Sequence, residues 1–447
     1  MTDAVVPDAG VPAAVAADGD GWSRLHPLTP LLRGGRFFLA AVAVVGQQGL
    51  REAPARTLLI GLAAVVPIGL ALGLVAWWTT RYRLTATELQ VDTGVLRRRN
   101  RRVPLARLQS VDVVRPFTAR LLGLAELRLE VAGGGQTEAP LAYLGEDAAR
   151  RLRAQLLRAA GTSPAGGEAP DAEAPEAVLV QVPTGALVAS ALLSVPVLLM
   201  VAALVALVGV VALRPGAAPA LLTAVVPFAL GTGGVVLRRL LAEYGFTVAQ
   251  SPDGLLLRHG LLDTRQQTIP YGRVQTVRVL EPLLWRRRGW VRVEVDVAGY
   301  SGTSGEEQAT TSALLPVAPR ELALSLVDRV LGAPVPLAVL PAPRRARLRA
   351  PLSARRLRLG LDARHLVTAT GVLTTTTDVV PLVKVQSLRL EQGPWQRRLA
   401  LASVHADTAG RRLRGGVVRH RDAAEAALLL ADLTRQMRAA RATPQPP

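Results

Sequence analysis

The residues of this chain that could do chemistry are its arginines. Arg97, Arg98, Arg99, Arg101 and Arg102 form one cluster, and Arg286, Arg287 and Arg288 a second. Arg344, Arg345, Arg347, Arg349, Arg355, Arg356 and Arg358 form a third. A guanidinium presents a planar fork of donors that matches phosphate and carboxylate, so the chemistry on offer is anion binding. Aromatic residues stand just before several of them: Phe117 before Arg120, Trp285 before Arg286, and Trp395 before Arg397 and Arg398. A segment lying at headgroup level would place such a ring in the acyl boundary and the guanidinium on lipid phosphate. The same pattern suits a ring that plugs its own domain while the arginine faces water. The third cluster, at about 1 kcal/mol per residue near an anionic leaflet, would hold its domain against a membrane, or it is a solvated charge run.

Catalytic constellations are missing. The chain has no cysteine, which excludes disulfides, iron–sulfur clusters and thiol catalysis. His26, His259, His365, His405 and His420 are far apart, and no His-Glu-x-x-His occurs, so no metal is expected. Gly133-Gly134-Gly135 lacks the lysine and helix start of a phosphate-cradling loop, and Ser301 and Ser304 are not in a Gly-x-Ser-x-Gly elbow. The expectation is a protein that is not an enzyme and holds no cofactor.

The elements that must position the arginines come in two kinds. Hydrophobic residues make up 50% of the 447 and charged residues only 19%, which places part of the chain in lipid. Crossing about 30 Å of hydrocarbon takes about 20 apolar residues. Four uncharged runs occur in two pairs: Phe37 to Leu50 with Thr57 to Trp78, and Thr184 to Leu213 with Ala217 to Leu237. The first is short and could instead be a buried or interfacial helix. Pro196 and Pro227 would kink the last two. Arg24, Arg33, Arg36, Arg81, Arg83, Arg238 and Arg239 flank the pairs, whereas the turns hold only Arg51, Arg56 and Arg214. Positive flanks place the N-terminus and the bulk of the chain in the cytoplasm, with the turns outside the cell membrane.

The polar regions carry one unit three times. Gly94, Gly260 and Gly371 each stand ten residues before Pro104, Pro270 and Pro381, and fifteen before Gln109, Gln275 and Gln386. Twenty-nine residues after each glycine come Gly123, Gly289 and, as a departure, Ala400. Alternating apolar and polar residues read as short antiparallel strands around a Gly turn. Amphipathic stretches at Glu146 to Ala160, Pro319 to Leu331 and Asp422 to Ala440 close each unit as a helix. The recurring glutamine is expected to bond to backbone at a strand entry.

The chain resembles the membrane-anchored bacterial pleckstrin-homology (PH) proteins of the YdbS/YdbT type. The resemblance rests on Arg-Leu-His-Pro-Leu-Thr-Pro at 24–30 and on the repeated Gly-x-Leu and Pro-x-x-x-x-Gln-Ser/Thr. It rests also on Arg120-Leu121-Leu122-Gly123-Leu124, which the second and third units match only in part. It implies a PH-like split barrel with a C-terminal helix and no assigned catalytic residue.

The expected fold class is therefore mixed: two α-helical transmembrane hairpins plus three PH-like small β-barrels, each closed by a C-terminal α-helix. The expected order is a flexible tail at 1–22, a hairpin at 36–80, a first PH-like domain at 81–160 and an acidic Pro/Ala/Gly linker at 161–180. A second hairpin at 184–240, a second domain at 241–332, a basic Pro/Arg linker at 333–352 and a third domain at 353–441 follow. The net charge of +19 resolves into zero over 1–80, +7 over 81–160, −1 over 161–240, zero over 241–332 and +13 over 333–447. Expected partners are the membrane itself, anionic phospholipid headgroups, or a membrane or cytoplasmic protein. Nucleic acid is disfavoured because stacking aromatics are few. The function expected is a scaffold. The competing reading is an accessory of a transport, export or envelope-stress system, although none of the four runs holds an ionisable residue.

Overall fold

The computed structural model describes residues 22–29, 67, 71, 74–75, 77–94, 99–131, 141–159, 177–214, 216, 218–251, 254–298, 313–410, 413 and 416–442. The tail at 1–21 and nearly all of the first hairpin lie outside the described residues. The chain divides into two units, 1–167 and 168–447.

The first unit holds one copy of the repeat. Strands β1 (Ser23–Arg24), β2 (Arg81–Leu84), β3 (Glu88–Thr93) and β4 (Arg99–Pro104) make an antiparallel sheet in that order. Strands β5 (Leu108–Arg115), β6 (Leu124–Val131) and β7 (Leu141–Gly145) pair in sequence, with the short helix α1 (Phe117–Leu121) between β5 and β6. Helix α2 (Glu146–Ala159) packs on this second set through Ala149, Leu152 and Leu156.

The second unit holds two copies. The second copy runs β8 (Ala177–Gln181), α3 (Thr184–Leu192), α4 (Val195–Leu213), α5 (Ala218–Glu243), β9 (Thr247–Ser251), β10 (Gly254–His259) and β11 (Thr264–Ile269). It continues through β12 (Val274–Pro282), α6 (Leu283–Arg286), β13 (Trp290–Val297), β14 (Ala313–Pro319) and α7 (Arg320–Leu331). The third copy runs β15 (Leu340–Pro341), α8 (Ala346–Arg349), β16 (Arg358–Leu361), β17 (His365–Thr370) and β18 (Thr374–Pro381). It ends in β19 (Val385–Glu391), α9 (Pro394–Arg398), β20 (Leu401–Thr408), β21 (Gly416–Asp422) and α10 (Ala423–Ala442).

Each copy is thus four strands, then three, then a helix, with inward residues alternating as in β13, where Val291, Val293 and Val295 are buried. The four-stranded and three-stranded sets of each copy lie in separate sheets, so the small barrel expected from the sequence is split into a two-sheet sandwich. In the second unit the sheet of one copy runs into the next: β12 pairs with β18, from Val277↔Val379 to Pro282↔Thr374, giving the order β14-β13-β12-β18-β17-β16-β15. A fork from Arg278 to Asp378 (2.6 and 3.1 Å) and a bond from Lys384 Nζ to the Gly272 carbonyl (2.7 Å) reinforce the seam.

The sequence boundaries also shift. The first strand of each copy precedes the inserted segment: β8 lies in the stretch read as an acidic linker and β15 in the stretch read as a basic linker. Strands β1 and β15 have two residues each, too few to show alternation. The apolar helices α4 and α5 are therefore inserted between the first and second strands of their copy.

The uncharged run from Thr184 divides at Leu193-Ser194. Helix α3 buries Leu187, Ser190 and Ala191, and α4 begins afresh with Pro196 in its first turn, where a missing N–H costs nothing, so this proline does not kink a helix interior. Pro227 does lie inside α5. Residues Val195–Leu213 and Leu221–Glu243 are long and apolar enough to cross a membrane.

The repeated Gly, Pro and Gln positions are backbone devices. Gly94, Gly260 and Gly371 have φ of 106°, 105° and 98°. Each proline leads into a single 3₁₀ turn, at Leu105–Arg107, Tyr271–Arg273 and Leu382–Lys384. The glutamines mark a register shift on entry to β5, β12 and β19, an inserted residue that bends the strand. Gln275 is buried and donates to the Arg273 carbonyl (3.0 Å), whereas Gln386 is exposed, so the side chains do not share one partner.

Gly123 and Gly289 have φ of 65° and 63°, and Ala400 keeps φ at 50° without being glycine. Open space surrounds the Cβ position at Gly123 and Gly289, whereas a Cβ on Gly371 would stand 1.9 Å from the Thr374 carbonyl oxygen. Ala400→Gly is therefore expected to stabilise the third copy by up to about 1 kcal/mol. Gly371→Ala is expected to destabilise it by more than the strain alone, about 1–3 kcal/mol, because backbone must also move. Denaturant midpoints of the two variants should move in opposite directions.

Candidate functional site

The end of the second copy from which α4 and α5 leave is set by the feet of those helices. Strand β8 leads into α3 and β9 follows α5, with Gln181 opposite Thr247. The β10–β11 turn reaches back to the helix: Gly260 and Leu261 donate their backbone N–H to the carbonyls of Tyr244 and Leu241 (both 2.8 Å).

A set of side chains locks this foot. Trp285, on α6, is 2% exposed and donates its indole N–H to the Ser190 carbonyl of α3 (3.2 Å). Glu243 accepts from Arg239 (3.0 Å) and from Arg292 (2.6 Å), and Arg292 also reaches Glu294 (3.1 Å). His259 stacks on Phe246, ring centroids 5.1 Å apart, with Nδ1 2.7 Å from the Ala242 carbonyl. Burial pushes the His259 pKa down, with Arg265 adding to the effect. A histidine kept neutral in the fold stabilises it above the ordinary value of about 6.5, and that contribution is lost as pH falls towards the lowered pKa. His259→Phe is expected to flatten the decline in stability below about pH 6.5, read from unfolding midpoints of both proteins across pH.

The aromatic and arginine pattern proves to be three different positions. Counted back from the left-handed residue, Trp285 aligns with buried Ala119 and with Gln396. Trp395 stands one residue earlier and is 64% exposed, beneath the Arg398 guanidinium (5.5 Å). Phe117 is earlier still and exposed. Trp285 therefore belongs to the packed core and is no interfacial anchor.

Of the arginines, Arg97 and Arg98 lie outside the described residues, as does the side chain of Arg99. Arg101 and Arg102 are exposed on β4, Arg102 lying 3.8 Å from Glu88, and Arg120 is exposed on α1. Arg286 bonds to the Val372 carbonyl (3.2 Å) and Thr375 Oγ1 (2.5 Å) across the seam, whereas Arg287 and Arg288 are exposed, the latter over Trp290. Arg344, Arg345, Arg347, Arg349, Arg397 and Arg398 are all exposed in the third copy. Arg345 pairs with Asp422.

Next to Trp395 the third copy opens a cleft of about 270 Å³, lined by Arg349, Gln396, Ser403, Arg419 and His420 among others. Gln396 Nε2 is 2.9 Å from both Ser403 Oγ and His420 Nδ1, and His420 holds a left-handed φ of 52°. Partial burial first, and then Arg349 and Arg419, push the His420 pKa down. Arg349 and Arg419 bring positive charge to its lining, and Glu391 brings a carboxylate. Arg419 and His420 have no motif to announce them, since they meet Arg349 only where their strand and the helix Ala346–Arg349 come together in the fold. Among the described residues no group of three metal-ligating side chains occurs.

Comparison with known proteins places this geometry. The Bacterial PH domain pattern matches residues 36–160, 188–334 and 322–437, well over half of the chain. The chain is 21% identical over 268 residues to the transmembrane protein YdbT of Bacillus subtilis (strain 168), a stretch that spans 54% of each protein. No solved structure matches. Three matches, each falling on one of three four-plus-three-strand copies, place the chain in the bacterial PH domain family.

Proposed function

We propose that the chain is a membrane scaffold without catalytic activity, whose PH-like sandwiches stand on the cytoplasmic face of the cell membrane and bind anionic lipid headgroups or a protein partner. The observation that carries this reading is the route of the chain. Helices α4 and α5 leave from between β8 and β9, Trp285 bonds to the α3 turn that precedes them, and Arg292 pairs with Glu243 at the end of α5, so side chains as well as the chain itself join the apolar helices to the sandwich. The orientation is supported by charge. Arg238 and Arg239 lie at the foot and Arg214 alone at the far turn, which favours the sandwich side as cytoplasmic.

Because the chain has no cysteine, single cysteines report topology directly. In intact cells a membrane-impermeant maleimide is expected to label Arg214→Cys at the α4–α5 turn and to leave Arg355→Cys unlabelled until the membrane is opened. The reverse pattern overturns the orientation, and equal labelling of both overturns the membrane-spanning reading. Capture of the full chain on vesicles or by crosslinked protein then separates the two classes of ligand.

A further inference from the structure

We propose that residues 344–358 of the third copy are a peripheral membrane dock that seats this copy on the anionic leaflet at the level of the α4–α5 feet. This rests on the reading of α4 and α5 as membrane-spanning.

The first support is topological. In the second copy the connection between the first and second strands is the pair of apolar helices. In the third copy the corresponding connection, between β15 and β16, is the short segment 342–357. The third copy has no hairpin of its own, and a basic segment stands in its place.

The second support is register. Trp285 touches the foot of the hairpin, and it follows Pro282, the last residue of β12. Pro282 pairs with Thr374, the first residue of β18. Across the same sheet Thr376 pairs with Thr370 at the end of β17, Ala369 with Arg358 at the start of β16, and Arg358 with Pro341. Residues 342–357 therefore leave the sheet at the end from which α4 and α5 leave in the second copy.

The third support is chemistry. Seven of the fifteen residues from 344 to 358 are arginine and none is acidic. The segment is ordered: Ala346 and Ala354 are buried against Leu401, and Ala350 and Ala354 donate in succession to the carbonyls of Ala346 and Ala350 (both 2.9 Å). With the alanines turned inward, Leu348 and Leu352 are left 74% and 81% exposed among the arginines. Leu373, on the turn whose Val372 carbonyl Arg286 holds, and Trp395 are 60% and 64% exposed at the same end. Apolar side chains ringed by guanidinium groups match an interface that is apolar below and anionic at its surface. A protein partner would need an acidic rim shaped to this patch, whereas the leaflet lies at that level already. Tethering by α4 and α5 raises the effective concentration of the dock, so weak contacts suffice.

The test uses the full chain with one introduced cysteine bearing an environment-sensitive fluorophore, reconstituted in phosphatidylcholine vesicles with or without phosphatidylglycerol. At Leu352→Cys the emission is expected to shift to the blue and to be quenched by doxyl-labelled lipid only when phosphatidylglycerol is present. Both signals should fade as salt approaches about 1 M, where the screening length falls to about 3 Å. They should also fade in R344Q/R347Q/R355Q/R356Q, whose tryptophan unfolding midpoint serves as the check on folding. A fluorophore at Arg438→Cys, on α10 near the opposite end where Arg441 bonds the Val385 carbonyl, should stay in water throughout. A water-like signal at 352 in both vesicles overturns the dock. So does a blue shift that is equal in neutral vesicles or persists in detergent, which would mean that protein covers the patch. Maleimide labelling at Arg214→Cys tells failure of the dock from failure of the membrane-spanning reading.

Discussion

Arg292→Met is expected to destabilise the second copy by about 3–5 kcal/mol, the range for removing one partner of a buried ion pair. The side chain of Glu243 is 2% exposed and that of Arg292 12% exposed, so water cannot replace the missing guanidinium. Glu243 would keep only Arg239, whose side chain is 29% exposed, and Glu294 would lose its bond at 3.1 Å. Arg239→Met should cost clearly less, because the more exposed partner leaves and the shorter, buried bond stays. The double variant R292M/E243L should recover part of the loss, since the most buried charge of the network goes with its partner while Glu294 and Arg239 each still lose one. Unfolding of the full chain in detergent, followed by tryptophan emission, measures all three. A loss under about 1 kcal/mol for R292M would mean that the network is wet and does not hold the helix foot.

The parts of this fold that were legible in the sequence are those the backbone itself demands. A left-handed φ at Gly94, Gly260 and Gly371, a proline before each 3₁₀ turn and a residue inserted at each strand entry leave marks at fixed spacing, whatever the side chains around them do. The closing helices were readable for a related reason, a period of 3.6 sustained over three or more turns. Pairing between copies leaves no such mark. Strand β18 begins with four threonines, Thr374 to Thr377, and nothing in that run announces that it continues the sheet of the preceding copy. The first strands were lost to their shortness and to the helices inserted after them. The aromatic and arginine motif misled because one residue along a helical turn rotates a side chain by about 100°. That step separates Trp285 in the core from Trp395 at the surface. The exposed end of the third copy is half legible: its charge stands out in the sequence, but the exposure of the leucines among the arginines depends on Ala346 and Ala354 facing inward.

Trp285→Ala is the other substitution with a large expected effect, about 3–5 kcal/mol, because the indole is among the biggest buried side chains of its sandwich and its loss leaves a cavity. Trp285→Phe separates packing from bonding. It keeps most of the ring but leaves the Ser190 carbonyl without its donor, at a cost of about 1–3 kcal/mol. The two variants should also differ in where the damage falls. Helix α3 is nine residues long, too short to persist alone, and its inward face consists of Leu187, Ser190 and Ala191. With no ring against Ser190, α3 should open while α4 and α5 stay folded, because the break at Leu193-Ser194 uncouples them. Hydrogen exchange of the full chain in detergent is therefore expected to rise over residues 184–192 in W285A and much less over 195–213. Faster exchange spread evenly over both segments would instead make α3 and α4 one cooperative helix, and Trp285 a general core residue with no special hold on the hairpin.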